Sequence, residues 1–464
     1  MATPSRIGIP GTNQFLDSTT VDSGLGNAER EAVFIADPTD ASARAAVNSA
    51  ANNPSGYGLL TRNMDLSVDA FNRLRVSNPR AELSGFNEYK LNPFNYVTAV
   101  SGTGTATHST TTKLVTLTTG GTAAGAYAIQ QSRAYLRYNP GNSLLIKQTF
   151  VMGTQPGANA AKRAGYYDDS NGFYLQWTSA GVSFNRRSNT SGSVVTTSVA
   201  QASWNVDPMN GTGASGLTLD LTKGQILVID LQFLGVGTVR MGFEINGLLY
   251  WTHFWHHANL TATQPYIATA NLPVRWEVVN TGGTAANTET MYSVCGSVLE
   301  EGSVEPKGQQ FSASNGATGI ALTTTLKPII SLRPGPTFNG ITNRGWLVPD
   351  STNLFIQGTQ DVYYQILWNA TLTGPSWTAV NSTYAMAQYD VTASAVALGN
   401  GIVIEDGYVS AGSGKTGGTL ADTIIDRPLV NSFDGTTPDT FTIAMRTIAG
   451  TGTGFAAMTW TGYW

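Results

Sequence analysis

The side chains best able to do chemistry are few, and the densest group is Thr252-His-Phe-Trp-His-His-Ala-Asn. It holds three of the four histidines, His253, His256 and His257. On a strand, His253, Trp255 and His257 share one face, while Phe254 and His256 share the other. Two histidines four apart along a strand lie about 13 Å from each other. Zinc needs its ligands at about 2.0–2.1 Å, and no cysteine or carboxylate adjoins the cluster. The expectation is packed or hydrogen-bonding histidines, with no metal and no cofactor.

Tyr167-Asp-Asp-Ser-Asn-Gly-Phe173 offers hard oxygen atoms on a turn, with Asp168, Asp169 and Asn171 as candidate glycan contacts. The spaced ligand set of a calcium loop is absent, and the same residue types build an ordinary hairpin turn. Gly412-Ser-Gly-Lys-Thr is half a phosphate loop. Val409 stands where the first glycine is required, and no strand-loop-helix context follows. No Gly-x-Ser-x-Gly elbow occurs. Cys295, the only cysteine, lies in the apolar run Met291–Val298 and reads as a core thiol. Asp168, Asp230 and Glu277 are the carboxylates that a sugar hydrolase could draw on. Asp230 interrupts an apolar strand, so it needs a partner when buried, and Arg240 or Arg275 can supply one as a structural ion pair. Tyr135, Tyr138, Tyr166, Tyr167, Trp177 and Trp251 could stack on sugars but read first as core or interface anchors. These features together predict no enzyme.

Strands must position these groups. Only 12% of the residues are charged, about half the usual share. Glycine is abundant at 51 residues, and Thr, Val and aromatics suit a pleated, half-buried surface. Thr112–Thr118 alternates polar and apolar residues. Ser143–Met152 and Gln225–Leu234 are longer apolar runs. Val239–Ile245, then Asn246-Gly247, then Leu248–Trp251 is a hairpin with a tight turn. Strands are also expected over 327–333, 361–368, 440–446 and 454–460. The prediction is an all-β chain of jelly-roll or β-sandwich domains with an extended, mostly irregular N-terminal arm.

Three segments follow: an arm over 1–92, a central sandwich over 93–305 and a second sandwich over 306–464. The first 90 residues hold 18 of the 56 charged ones, which sets the arm apart. It carries one helical stretch, Asp40–Ala51. Glu300–Gln310 reads as the linker between the sandwiches. A net charge of −4 without a basic stripe predicts no direct nucleic-acid contact. No apolar run approaches the roughly 18 residues of a membrane span. A single cysteine and no leader-like start point to synthesis in a reducing cytosol. A surface so poor in ions loses little when a neighbour covers it, which predicts a subunit of a larger assembly.

Several segments together resemble a family of uncharacterised virion structural proteins from tailed phages and large viruses. Val68-Asp-Ala-Phe-Asn-Arg-Leu-Arg-Val-Ser matches the family's Asp-x-Phe-Gly-Arg-Leu-Arg-Val-Ser, with Asn72 in place of glycine. Tyr138–Ser143, Gly165–Gly172, Asp230–Phe243, Asn271–Val278 and Cys295–Gly302 follow in order over residues 65–305. Phe433–Phe441 extends the likeness. The resemblance implies incorporation into a virion made in the host cytoplasm, with other virion proteins as partners. By analogy a tail fibre, baseplate or collar component follows, as a homo-oligomer with a trimer favoured. The other readings are a carbohydrate-binding receptor protein recognising a host-surface glycan, a head-decorating protein and a polysaccharide depolymerase. Asp69, Phe71, Arg73, Leu74 and Arg75 are the expected assembly joint between arm and sandwich, because arginine forks hold carbonyls and carboxylates in fixed geometry.

Overall fold

The computed structural model describes residues 68–70, 73–76, 78–260, 263–301, 308–396, 400–411 and 428–464, together with the backbone of short strands within 1–67 and of Gly414–Thr419. It divides into two compact units, Met1–Ser67 and Val68–Trp464. Within the first, Ser5–Gly8, Phe15–Asp22 and Asn27–Ala32 form a three-stranded antiparallel sheet. Asp40–Arg44, the start of the expected helix, is instead a strand paired with Ala36–Asp37. A twelve-residue helix without an apolar stripe is marginal alone. Residues 45–51 lie outside the described residues.

The second unit is all β, as the composition predicts: among the described residues there is no α-helix. It holds two sandwiches. In the first, a seven-stranded sheet runs in the order Val195–Ala200, Gly181–Ser188, Gly172–Thr178, Ala160–Tyr167, Val274–Asn280, Tyr127–Ser132, Tyr96–Ser101. It faces a sheet ordered Leu248–Trp255, Val239–Ile245, Gln225–Leu231, Leu144–Val151, Thr290–Glu300, Val115–Thr118, Thr105–His108. Every pairing is antiparallel, which lets tight hairpins connect neighbours. The expected Asn-Gly turn forms, with Asn246 and Gly247 both at positive φ. Alternate residues point inward, so Leu144, Ile146 and Phe150 meet Val274, Trp276 and Val278 in one dry core.

Arg80–Phe86 joins this sandwich by pairing with Thr290–Glu300, and Leu83 enters its core. The compact unit therefore begins at Val68, whereas the sequence placed the end of the arm at 92. One alternating strand inside a charged, turn-rich stretch carries little periodic signal, and only its partner strand gives it a place.

The second sandwich packs the sheet Thr378–Asn381, Ala385–Asp390, Lys327–Pro334, Phe441–Thr447, Val362–Trp368, Ile402–Val409 against Gln309–Ser314, Gly452–Tyr463, Trp346–Gln357 and Gly414–Thr419. Its own core centres on Trp460, Ile443 and Ile366. The two sandwiches exchange aromatic contacts. Phe94 of the first packs against the core of the second, and Trp346 of the second against the core of the first. Trp346 Nε1 donates to the Tyr135 carbonyl (2.8 Å), and the Arg344 guanidinium lies 4.3 Å over the Tyr135 ring. The interface buries apolar surface from both sides and pairs its polar groups, which makes one unit of two sandwiches.

Candidate functional site

The described residues of the motif, 68–70 and 73–76, hold one another and the first sandwich. Asp69 N–H donates to the Arg73 carbonyl (2.8 Å), and Val68 bridges Leu74. The buried Asp69 carboxylate accepts from the Arg73 backbone N–H (2.8 Å) and from Arg73 Nε (2.8 Å). Arg75 reaches further. Its two terminal nitrogens hold Asp230 Oδ2 (2.8 Å) and Glu301 Oε1 (2.5 Å). Arg240 pairs with the same Asp230 oxygen and also donates to the Val68 carbonyl (2.6 Å). The ion partner that the sequence requires for Asp230 is thus Arg240, joined by Arg75. Burial pushes the Asp230 carboxyl up, and the two guanidiniums pull it back. Leu74 is half exposed, and Phe71 lies outside the described residues. The structure gives four of the five expected joint residues a place, and three of them make ionic contacts within the unit itself.

The second expected site is the hairpin turn between Ala160–Tyr167 and Gly172–Thr178. Asp168 Oδ1 accepts the backbone N–H groups of Ser170 (2.8 Å) and Asn171 (2.7 Å), a turn closed by its own side chain. Gly172 sits at φ 124°, and a Cβ there would fall 2.3 Å from the Tyr166 carbonyl oxygen. Asn171 is only 5% exposed. Its Oδ1 accepts from Ala268 N–H (2.8 Å) and Asn189 N–H (3.3 Å), tying two distant loops together. Of the three candidate glycan contacts, only Asp169 stands out to solvent, and it pairs with Arg275 (2.6 Å).

The loops that Asn171 ties form opposite walls of a cleft of about 340 Å3. The hairpin Gly181–Ser188 to Val195–Ala200 contributes Arg186, Ser188, Thr190, Ser191 and Thr197. The other wall is Thr263, Gln264, Pro265 and Tyr266. Arg186 donates to Thr197 Oγ1 (3.3 Å), its guanidinium lies 5.8 Å over the Trp255 ring, and its buried Nε has no partner among the described residues. Tyr266 is fixed by stacking on His257, with ring centroids 4.0 Å apart, and by donating its hydroxyl to the Gln232 carbonyl (3.1 Å). Burial holds that phenol protonated far above its usual range. The lining thus offers five aliphatic hydroxyls, an amide and one cation, and no carboxylate. Sequence reasoning missed it because a Ser/Thr-rich hairpin tip has no signature apart from that of a turn.

The remaining candidates resolve into structural parts. Glu277 is buried and accepts from Arg163 (2.6 Å) and from the Tyr167 hydroxyl (3.0 Å). Burial works to raise its carboxyl, but Arg163, Arg275 and Arg187 outweigh that and hold it below the usual range. A carboxyl so held keeps no proton to give. Tyr167 and Tyr174 stack at 4.4 Å between Arg163, Arg187 and Arg275. Tyr135 and Tyr166 are buried, Trp177 packs on the core, Tyr138 accepts from the Leu234 N–H (3.2 Å), and Trp251 lies under Arg240 at 4.5 Å.

The histidine strand ends at Trp255. His253 Nδ1 accepts from Asn205 N–H (3.3 Å), and His257 Nδ1 donates to the Gly237 carbonyl (3.0 Å). No cluster of three metal-ligating side chains exists among the described residues. Cys295 is half-buried beside Thr149 Oγ1 (3.6 Å), not in the core as expected, because its register points it outward. Gly414–Thr419 is a strand paired with Trp346–Gln357, whereas residues 412–413 lie outside the described residues.

Fold and site define an all-β, two-sandwich protein with a hydroxyl-lined cleft. No family model matches the chain, and no curated protein matches it. Solved structures similar to it include lectin UEA-II complexed with galactose, at 14% identity, covering 48% of this chain and all of that one, with a TM-score of 0.29. A legume lectin-like domain from Entamoeba histolytica aligns at 12% identity over 48% of this chain and 98% of that one, TM-score 0.27. A carbohydrate esterase from Shiga toxin-encoding bacteriophage phi24B aligns at 12% identity over 49% and 100%, TM-score 0.27.

Proposed function

We propose that this chain is a non-enzymatic, carbohydrate-binding structural protein whose first sandwich holds a glycan in the cleft between Arg186 and Tyr266. The observation that carries the reading is the lining itself. Five aliphatic hydroxyls and the Gln264 amide can both donate to and accept from a polyhydroxylated ligand, and the Arg186 guanidinium donates to it. The cleft has no carboxylate to protonate a leaving oxygen or activate water, so it binds without hydrolysing. Asn171 supports this role from behind by fixing both walls before a ligand arrives, which lowers the ordering cost of binding. The single cation favours a neutral or acidic sugar over a basic one. A glycan array probed with the whole chain tests the reading. Binding is expected, and Arg186→Gln or the pair Ser188→Ala and Thr197→Val should abolish it. Binding to no glycan, or undiminished binding by the variants, overturns it.

The setting we propose is a virion, on the resemblance of residues 65–305 and on the sparse charge of the chain, 12% of residues. Tail or head position, partner proteins and a trimer belong to the same proposal. A particle map with this chain labelled tests it, and absence of the label from purified particles would remove it.

A further inference from the structure

The segment Phe433–Thr440 has no part in the hairpin cleft. It forms one wall of a cleft of about 390 Å3 where the two sandwiches meet, opposite Val97 and Arg133. We infer that this cleft is a second binding site, for a small polyhydroxylated ligand the size of a single sugar ring. The reading does not depend on the hairpin cleft.

Charge comes first. The Asp439 carboxylate is buried and fully engaged: it pairs with Arg133 and accepts from Asn369 Nδ2 (2.8 Å) and Val430 N–H (3.0 Å). The ionic pair cancels, so the cleft selects for no net charge. Hydrogen-bonding capacity is left over instead. Asn431 is 3% exposed, and its Nδ2 donates to the Asn343 carbonyl (2.7 Å). Its Oδ1 has no partner among the described residues. The same holds for Thr440 Oγ1 and Arg133 Nε, and all three residues line the cleft. Three unsatisfied polar atoms on residues that line one cleft, Arg133 on one side and Asn431 and Thr440 on the other, are a costly arrangement in a folded protein and call for a partner.

The partner must donate to Asn431 Oδ1 and accept from Arg133 Nε. A carboxylate only accepts and an ammonium only donates, whereas a hydroxyl does both. Val97, Phe433 and Pro438 add apolar wall for the CH face of a ring. The Phe433 ring is itself held in place 5.2 Å from the Arg275 guanidinium. The volume lies in the range of small-ligand sites, roughly 300–1,000 Å3. A ligand here touches both sandwiches.

The test uses the whole chain carrying Arg186→Gln, so the hairpin cleft makes no contribution. Glucose, galactose and N-acetylglucosamine are titrated at millimolar concentration by saturation-transfer NMR, with acetate as the accept-only control. At least one sugar is expected to bind and acetate not to. Thr440→Val removes only the unpaired hydroxyl, so it should fold as stably as its parent and weaken sugar binding about fivefold or more. Arg133→Lys keeps the ion pair, lacks the Nε donor and should weaken binding likewise. No binding by any of the sugars, equal binding of acetate, or undiminished binding by a folded Thr440→Val variant overturns the inference.

Discussion

Truncating Arg75 should cost far more than truncating its neighbour Arg73, although the two share one motif. Asp230 is fully buried in a central strand, and Arg75 and Arg240 both hold its Oδ2. Its Oδ1 has no partner among the described residues. Arg75→Ala leaves that carboxylate with one guanidinium and also strips a partner from Glu301. Breaking a buried pair costs about 3–5 kcal/mol. Arg240 stays in place, so about 3 kcal/mol is the expected loss. Arg73 is different: its side chain is 52% exposed, and the Asp69 carboxylate keeps the backbone N–H of residue 73 after truncation. With the arginine half in solvent and the buried carboxylate still held by that backbone N–H, the loss should stay at about 1 kcal/mol. Urea unfolding at neutral pH measures both, with the shift read in the midpoint at constant slope.

The deficit of Arg75→Ala should also narrow on acidification. Burial already pushes the Asp230 carboxyl up, and losing a guanidinium pushes it further. As pH falls through that raised value the unpaired charge takes a proton and its penalty disappears. Adding Asp230→Asn to Arg75→Ala should recover part of the loss for the same reason. Equal costs for the two arginine variants, or a deficit that widens toward acid, would refute the reasoning.

Three further outcomes are expected. Asn171→Ala strands the Ala268 N–H and should cost about 1–3 kcal/mol, with hydrogen exchange rising at 188–193 and 263–268 while the core stays protected. Gly172→Ala forces a side chain into φ 124° against the Tyr166 carbonyl and should lower stability by about 1–3 kcal/mol, seen as a lower melting temperature. Burial depresses His253 and His257 from 6.5 to about 4. Above pH 6.5 neither state is charged, and as pH falls toward 4 the unfolded chain takes protons that the folded one refuses. Stability should drop by up to about 3 kcal/mol for each histidine across that window, and His257→Phe, which keeps a ring on Tyr266, should roughly halve the acid slope of unfolding free energy.

The sequence by itself determined the class of fold and several of its strands. Alternation in Thr112–Thr118 and the apolar runs in Ser143–Met152 and Gln225–Leu234 are local patterns, and the Asn246-Gly247 turn needs only its own backbone freedom. The need of Asp230 for a cation was legible for the same reason, since a carboxylate inside an apolar strand is a local contradiction. Tertiary structure alone decided the rest. Arg75 meets Asp230 across 155 residues, and Asn171 ties loops 18 and 97 residues away. Nothing in the spacing of Ser188, Thr190 and Thr263 shows that they face one cleft, or that Phe433 and Arg133 close another. Such sites depend on which strands become neighbours, and in an antiparallel sandwich that choice is made by long-range burial, which leaves no periodic mark on the chain.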